Sequence, residues 1–299
     1  MSNALLLLPD FLLIVVGFLL CRHTPLNRSV WEAAERLVYY LLFPVLLFNS
    51  IVRSNLQPAQ TLSLAATGLL TVGCGIALAF ALGRWPGIDA RRHASGAQTA
   101  FRFNSFIGLA LAERLGGPPG LAWMALLIAL CVPVCNVAAV WTLARHGGHA
   151  YGRELLRNPL IISTVAGLVA NLAGLRFPDA VATTLQRIGL AALPVGLMAV
   201  GAGLQLGGLR GAPGLAATLL GIRHAVLPCI AIGLAVAFAL PDAQRGIVIA
   251  FAALPTASSA YVLAARMGGD GPYVAGLVTV STLLGMVSVP VWLAVVRWL

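Results

Sequence analysis

Apolar windows of about 20 residues, the length that crosses the hydrocarbon core of a bilayer, follow one another along the whole chain with only short polar connections between them. They lie near residues 4–20, 37–52, 62–82, 96–115, 121–144, 158–175, 180–203, 215–240, 246–265 and 273–296. Such a chain lacks the polar surface to cover a globule in water: 60% of its 299 residues are hydrophobic and 9% charged, against about 25% charged in soluble domains. The reading is an all-α integral membrane protein with ten transmembrane helices. It excludes a soluble enzyme and leaves no room for a separate soluble domain.

The charges that remain are one-sided. All nineteen basic residues are Arg, against nine Asp and Glu. Arg confined to short loops between apolar segments orients a membrane protein rather than binding nucleic acid. The side reached after odd-numbered spans holds Arg22, Arg28, Arg36, Arg84, Arg91, Arg92, Arg145, Arg153, Arg157, Arg210 and Arg266, and the opposite side holds Arg53, Arg114, Arg176, Arg187, Arg245 and Arg297. Eleven against six puts the first side in the cytoplasm and both termini outside. The first apolar stretch has no basic residue before it and Arg22 and Arg28 after it, the reverse of a signal peptide, so it is expected to be a retained first helix. The five cysteines are odd in number and fall mostly within apolar stretches, and Cys131 and Cys135 have no His or carboxylate beside them, so packing is expected rather than disulfides or a metal.

Sliding the chain over itself gives matches at an offset of 150 to 152 residues. Pro9, Gly17 and Pro44-Val45 recur as Pro159, Gly167 and Pro194-Val195, and Arg36 recurs as Arg187. The longest run is Leu111-Ala112, Arg114 and Gly116-Gly117 against Leu263-Ala264, Arg266 and Gly268-Gly269. The offset is half the chain and carries five spans, and an odd number of spans makes the two copies enter the membrane from opposite sides. Residues 1–145 and 155–299 are therefore expected to be two inverted five-helix repeats, an architecture in which substrate sites lie near the midplane at interrupted helices.

The fourth and ninth spans correspond in this alignment, and both look interrupted. Span four carries Ser95, Gln98, Thr99, Arg102, Asn104 and Ser105 in its first half. Span nine has Pro255 at its centre, followed by Thr256, Ser258 and Ser259. A central Pro removes a backbone hydrogen bond and frees carbonyls, half-helix N-termini and hydroxyls for a ligand. Two breaks meeting at the bilayer centre present half-helix N-termini that attract an anion. The expected substrate is a small anionic solute held by Asn104, Ser105, Arg102, Pro255, Thr256, Ser258 and Ser259. Arg102 has two readings, facing that anion or snorkelling to the cytoplasmic interface. Arg223 and His224, ahead of Pro228, are expected to snorkel or to pair with backbone carbonyls. Asp10 is the one acid well inside a span, a candidate for a coupling proton or an interfacial cap.

With FRFNSFIGLALAERLGG at 101–117 and FAALPTASSAYVLAARMGG at 251–269, the chain resembles the auxin efflux carrier family, in particular its compact bacterial members. LVYYLLFPVLLFNSI at 37–51 and RNPLIISTVAGLVANLAGL at 157–175 fit the same family, and the resemblance covers nearly the whole chain. It implies a secondary transporter in the cell (inner) membrane, with spans one, two, six and seven as a scaffold and the others as a transport domain moving in elevator fashion. The plant members carry a Pro-Asn pair on span four and a Pro on span nine, which form a crossover receiving the substrate carboxylate. Asn104 and Pro255 match these, whereas Phe103 stands in place of the first Pro. The resemblance implies mono- or dicarboxylates such as malate or malonate, no cofactor, and coupling to protons, to sodium or to neither. A homodimer is left open, as is a role as the membrane subunit of a larger transport assembly. An intramembrane enzyme is the third alternative, but the chain has no paired-acid motif, no His-Glu-x-x-His and no Gly-x-Ser-x-Gly.

Overall fold

The computed structural model describes residues 3–53, 58–144, 159–204, 209–257 and 259–296, and these are helical apart from short turns and two interruptions inside the bundle. Among the described residues five stretches are long and apolar enough to cross a membrane: Thr61–Arg84, Ala90–Leu143, Asp179–Ala202, Pro213–Ala237 and Gly271–Val296. The second holds 54 residues, about 80 Å of helix against a hydrocarbon core of about 30 Å, so it must fold back on itself. It does so at Gly117, whose φ of 55° is a conformation that only glycine adopts without strain, followed by Pro118 and Pro119. Gly268, with φ 74°, is a second glycine in this region of backbone space, between the helices that end at Arg266 and begin at Gly271.

Helix α1 (Asn3–His23) is followed by α2 (Arg28–Leu37), capped by the Asn27 side chain, which accepts from the Ser29 N–H. A π turn at Val38–Leu42 carries α2 into α3 (Phe43–Val52). The apolar window from residue 37 therefore captures only the second part of this helical stretch. The first part, with Arg28, Glu32, Glu35 and Arg36, is amphipathic and invisible to a hydropathy average. Then come α4 (Pro58–Ala81), α5 (Ala90–Gly96), α6 (Ser105–Ala144, bent at Gly117), α7 (Pro159–Leu172) and α8 (Asp179–Ala202). Helix α9 (Pro213–Gly221) runs through a second π turn, Ile222–Val226, into α10 (Leu227–Ala237). The chain closes with α11 (Asp242–Ala253), α12 (Ser259–Arg266) and α13 (Gly271–Val296). The division between the expected repeats, at residues 145–155, lies outside the described residues.

Two packing groups follow from the contacts. In the first, α1 lies along α8, and α3 lies against α7 and α8. Small residues allow the close approach: a Cβ added at Gly17 would collide with the Met198 carbonyl, and one at Gly201 with the Ile14 carbonyl. At the α7–α3 contact, a Cβ on Gly167 would lie 3.1 Å from the Cβ of Ile51. In the second group, α4, α6, α10, α11 and α13 surround the interruptions, with α11 contacting α6, α10 and α13. The groups meet where α6 packs on α3 and α8, with the rings of Phe43 and Phe106 4.7 Å apart. Large apolar side chains point outward, Leu172 at 85%, Val287 at 66% and Val169 at 62% exposure. That outer surface suits lipid, while Gln98, Thr99, Asn104, Arg223 and Thr256 lie buried within.

Candidate functional site at the crossing of two interrupted helices

The first interruption begins where α5 tightens into a 3-10 turn, Ala97–Ala100, and the backbone leaves helical geometry at Phe101 (φ −120°, ψ −24°). Helix α6 restarts at Ser105, with Asn104 at its N-cap. The Asn104 Oδ1 accepts from the N–H groups of Phe106 (3.0 Å) and Ile107 (3.2 Å), which satisfies donors that a helix start leaves unpaired. The second interruption follows from Pro255, which disfavours helical geometry in the residue before it. Leu254 is accordingly extended (φ −56°, ψ 143°), and the helix resumes at Ser259.

The two interruptions are bonded to each other. The Asn104 N–H donates to the Pro255 carbonyl at 2.8 Å, and the Thr256 hydroxyl donates to the Thr99 carbonyl at 2.6 Å. The Thr256 N–H donates to Ser281 Oγ at 2.9 Å, and that hydroxyl donates to Thr256 Oγ1 at 3.3 Å. The Phe103 ring meets the Phe251 ring edge-on, centroids 4.5 Å apart, with Phe103 only 4% exposed. Span four thus breaks without a proline, held open by groups that arrive from span nine. Gly285 of α13 leaves space for the Pro255 ring, whose atoms would stand 3.2–3.3 Å from a Cβ placed there.

Arginines flank the crossing on both kinds of helix end. Arg102 donates from Nη1 to Gln98 Oε1 at 2.9 Å and from Nη2 to Ser259 Oγ at 3.0 Å, so it reaches the first residue of α12. Gln98 is held in turn by its amide N–H groups, which donate to the carbonyls of Ser95 and Ala260, both at 3.1 Å. Arg223, in the second π turn and 1% exposed, donates to the carbonyls of Leu254 (2.6 Å), Ala252 (2.8 Å), Phe251 (3.1 Å) and Phe101 (3.5 Å). Of the two readings open for Arg223, the structure has the carbonyl pairing. Its neighbour His224 contacts Ser281 Oγ at 2.8 Å and Ser288 Oγ at 2.9 Å. Pro228 cannot donate to the His224 carbonyl, which is taken by the Trp292 indole N–H at 2.7 Å.

The structure brings together Asn104 with Pro255, Arg102 with Ser259, and Thr256 with Thr99. Ser105 and Arg102 are half-buried and Ser259 is exposed, while Pro255, Thr256 and Asn104 are buried. Ser258 lies outside the described residues, and Asp10 sits in α1 with its side chain likewise outside them. Span four is helical from Ala90, so Arg102 stands at the break rather than at the start of the span. Ser281 was not among the expected site residues; in the sequence it is one of four Ser and Thr hydroxyls of α13, with Thr279, Thr282 and Ser288, and nothing local sets it apart. Among the described residues no cluster of three His, Cys, Asp or Glu could hold a metal ion.

Chemically, the crossing divides into two faces. The N-terminal ends of α6 and α12 carry positive partial charge, with Arg102 bonded at the start of α12. The carbonyl ends of α11 and of the first half of span four are taken up by Arg223. A family model described as membrane transport protein matches residues 144–293, half of the chain. The chain belongs to this family, that of the auxin efflux carriers. This family member is similar over 98% of its length to an uncharacterized transporter of Methanothermobacter thermautotrophicus, 24% identical over 299 residues and 98% of that protein. It is also similar, 26% identical over 315 residues covering 98% of this chain and 95% of the relative, to a Rhizobium meliloti protein described as a candidate malonate transporter. As a member of the family it is a multi-pass membrane transporter.

Proposed function

We propose that this transporter is a secondary carrier of small organic anions, mono- or dicarboxylates, across the cytoplasmic membrane, with the substrate carboxylate received at the crossing. One observation carries the reading: the Arg102 guanidinium is bonded to the first residue of α12, and its hydrogen bonds go to neutral oxygens of Gln98 and Ser259. A cation beside a positive helix end is stabilised when an anion sits between them. The amide of Asn104, at the start of α6, and Ser105 beside it supply neutral donors on the other half-helix. The relative described as a candidate malonate transporter supports a carboxylate substrate.

The same reading includes ten spans in two inverted five-helix repeats. It is supported by the swapped pairing of α1 with α8 and of α3 with α7, which is what a twofold axis relating spans one and two to spans six and seven requires. Gly17 and Gly167, 150 residues apart, sit at those two contacts. The grouping of α1, α3, α7 and α8 apart from the helices around the crossing supports a scaffold and a transport domain, hence elevator-type movement. The Arg asymmetry supports termini on the outer side. Uptake of labelled malonate by the purified protein alone in proteoliposomes tests the reading. Saturable uptake that other carboxylates inhibit is expected; absence of both uptake and binding for a panel of mono- and dicarboxylates overturns it.

A further inference from the structure

Arg223 is among the most deeply buried large side chains of the protein, yet its hydrogen bonds to the described residues run to backbone carbonyls rather than to a carboxylate. Three of those carbonyls, of Phe251, Ala252 and Leu254, form the C-terminal end of α11, and the fourth, of Phe101, lies at the end of the first half of span four. Helix C-termini carry negative partial charge, and carbonyls freed at a helix break are oxygen ligands of the kind that hold coupling cations in carriers with interrupted helices. Here that position is filled from within the chain. All three guanidinium nitrogens donate, Nε to α11, Nη2 to two α11 carbonyls and Nη1 across to Phe101.

The placement has a local cause. Arg223 sits in a π turn, where the extra residue per turn rotates side chains away from the usual helical stripe. The repeat offset of 150 to 152 puts its counterparts at Thr71, Val72 and Gly73, so the first half supplies no cation at the equivalent place. One guanidinium serves both interruptions.

We propose that Arg223 is the resident cation of the crossing, a positioning residue that fills the carbonyl seat otherwise open to an alkali cation and holds the two half-helices so that Asn104 and Ser259 face the substrate. The carrier then needs no sodium at this seat to assemble its binding site. The transport arm of the test rests on the carrier reading above; the stability arm does not. Among the described residues the groups around Arg223 are the four carbonyls, the Cys135 thiol, which donates to Phe101 O at 3.5 Å, and His224, engaged with the hydroxyls of Ser281 and Ser288.

The experiment uses purified full-length protein in detergent and in proteoliposomes, as wild type, Arg223→Ala, Arg223→Gln and Arg223→Lys. Thermal midpoints are read in sodium, potassium and choline chloride at equal ionic strength, then with millimolar guanidinium chloride, and malonate uptake is read in the same salts. Wild type is expected to show the same midpoint and uptake in sodium as in choline. Arg223→Ala is expected to lose uptake by about tenfold or more, the scale of a lost charge-assisted bond, and to regain midpoint and uptake with guanidinium but not with choline. Arg223→Lys is expected to fall short of wild type, because an ammonium is one point charge where the guanidinium donates from three nitrogens. If Arg223→Ala is not recovered folded, Arg223→Gln is read in its place, and the wild-type salt arm stands without any variant. A wild-type midpoint or uptake that requires sodium overturns the proposal, as does an Arg223→Ala midpoint equal to wild type and indifferent to guanidinium. Absence of malonate uptake in wild type with guanidinium rescue of the Arg223→Ala midpoint intact overturns the carrier reading and supports this one.

Discussion

The backbone N–H of Asn104 donates to the carbonyl of Pro255 at 2.8 Å, which makes the interruptions of two spans 151 residues apart a single hydrogen-bonded unit. Neither break is then a free kink. Each supplies the other with a partner for a backbone group that the helix no longer satisfies, in surroundings where lipid offers none.

Asn104 does two things that can be separated by substitution. Asn104→Ala removes the cap of α6 and is expected to lower stability by about 1 kcal/mol and to abolish malonate uptake. Asn104→Asp keeps a capping oxygen but replaces the amide donor with a negative group facing an anionic substrate. Near-normal thermal midpoint with lost uptake is expected; retained uptake by Asn104→Asp would remove Asn104 from the binding site.

Arg102 is predicted to act on affinity. Its partners, Gln98 and Ser259, are neutral, so Arg102→Gln leaves no buried charge behind. A KM for carboxylate raised by about ten- to a hundredfold is expected, the scale of a charge-assisted hydrogen bond, with little change in midpoint. Proteoliposome kinetics check this, and an unchanged KM would show that Arg102 does not contact the substrate.

The hydroxyl of Thr256 ties span nine to the Thr99 carbonyl at 2.6 Å in a fully buried position. Thr256→Val keeps the shape and leaves that carbonyl unpaired, a cost of about 1–3 kcal/mol. The midpoint is expected to fall accordingly, whereas Thr256→Ser, which keeps the donor, should lie close to wild type.

Gly201 and Gly17 let α1 and α8 approach to backbone contact. Gly201→Leu is expected to force the helices apart, with a loss of at least about 1–3 kcal/mol and poor recovery of folded protein. At Gly167 the added Cβ would meet Ile51 at 3.1 Å rather than collide with a carbonyl, so Gly167→Ala should be milder. Comparing midpoints of Gly201→Ala and Gly167→Ala tests that order.

What could be read from the chain alone depends on averages over many residues. Long apolar windows survive local ambiguity because lipid imposes the same demand on every span, while the eleven-to-six division of Arg and the matches at half-chain spacing set the expected orientation and repeats. The break at Pro255 was also readable, since its cause, a missing N–H and a ring against the preceding turn, is local. At Phe101–Asn104 the polar run from Ser95 to Ser105 marked an interruption but not its cause: Phe103 is no helix breaker, and what opens span four there is the Pro255 carbonyl, the Phe251 ring and the Arg223 guanidinium, all from the other half of the chain. For the same reason the sequence left Arg102 and Arg223 each with two readings. A buried cation is defined by the oxygens around it, and only the tertiary structure decided that Arg102 meets the start of α12 while Arg223 meets the end of α11.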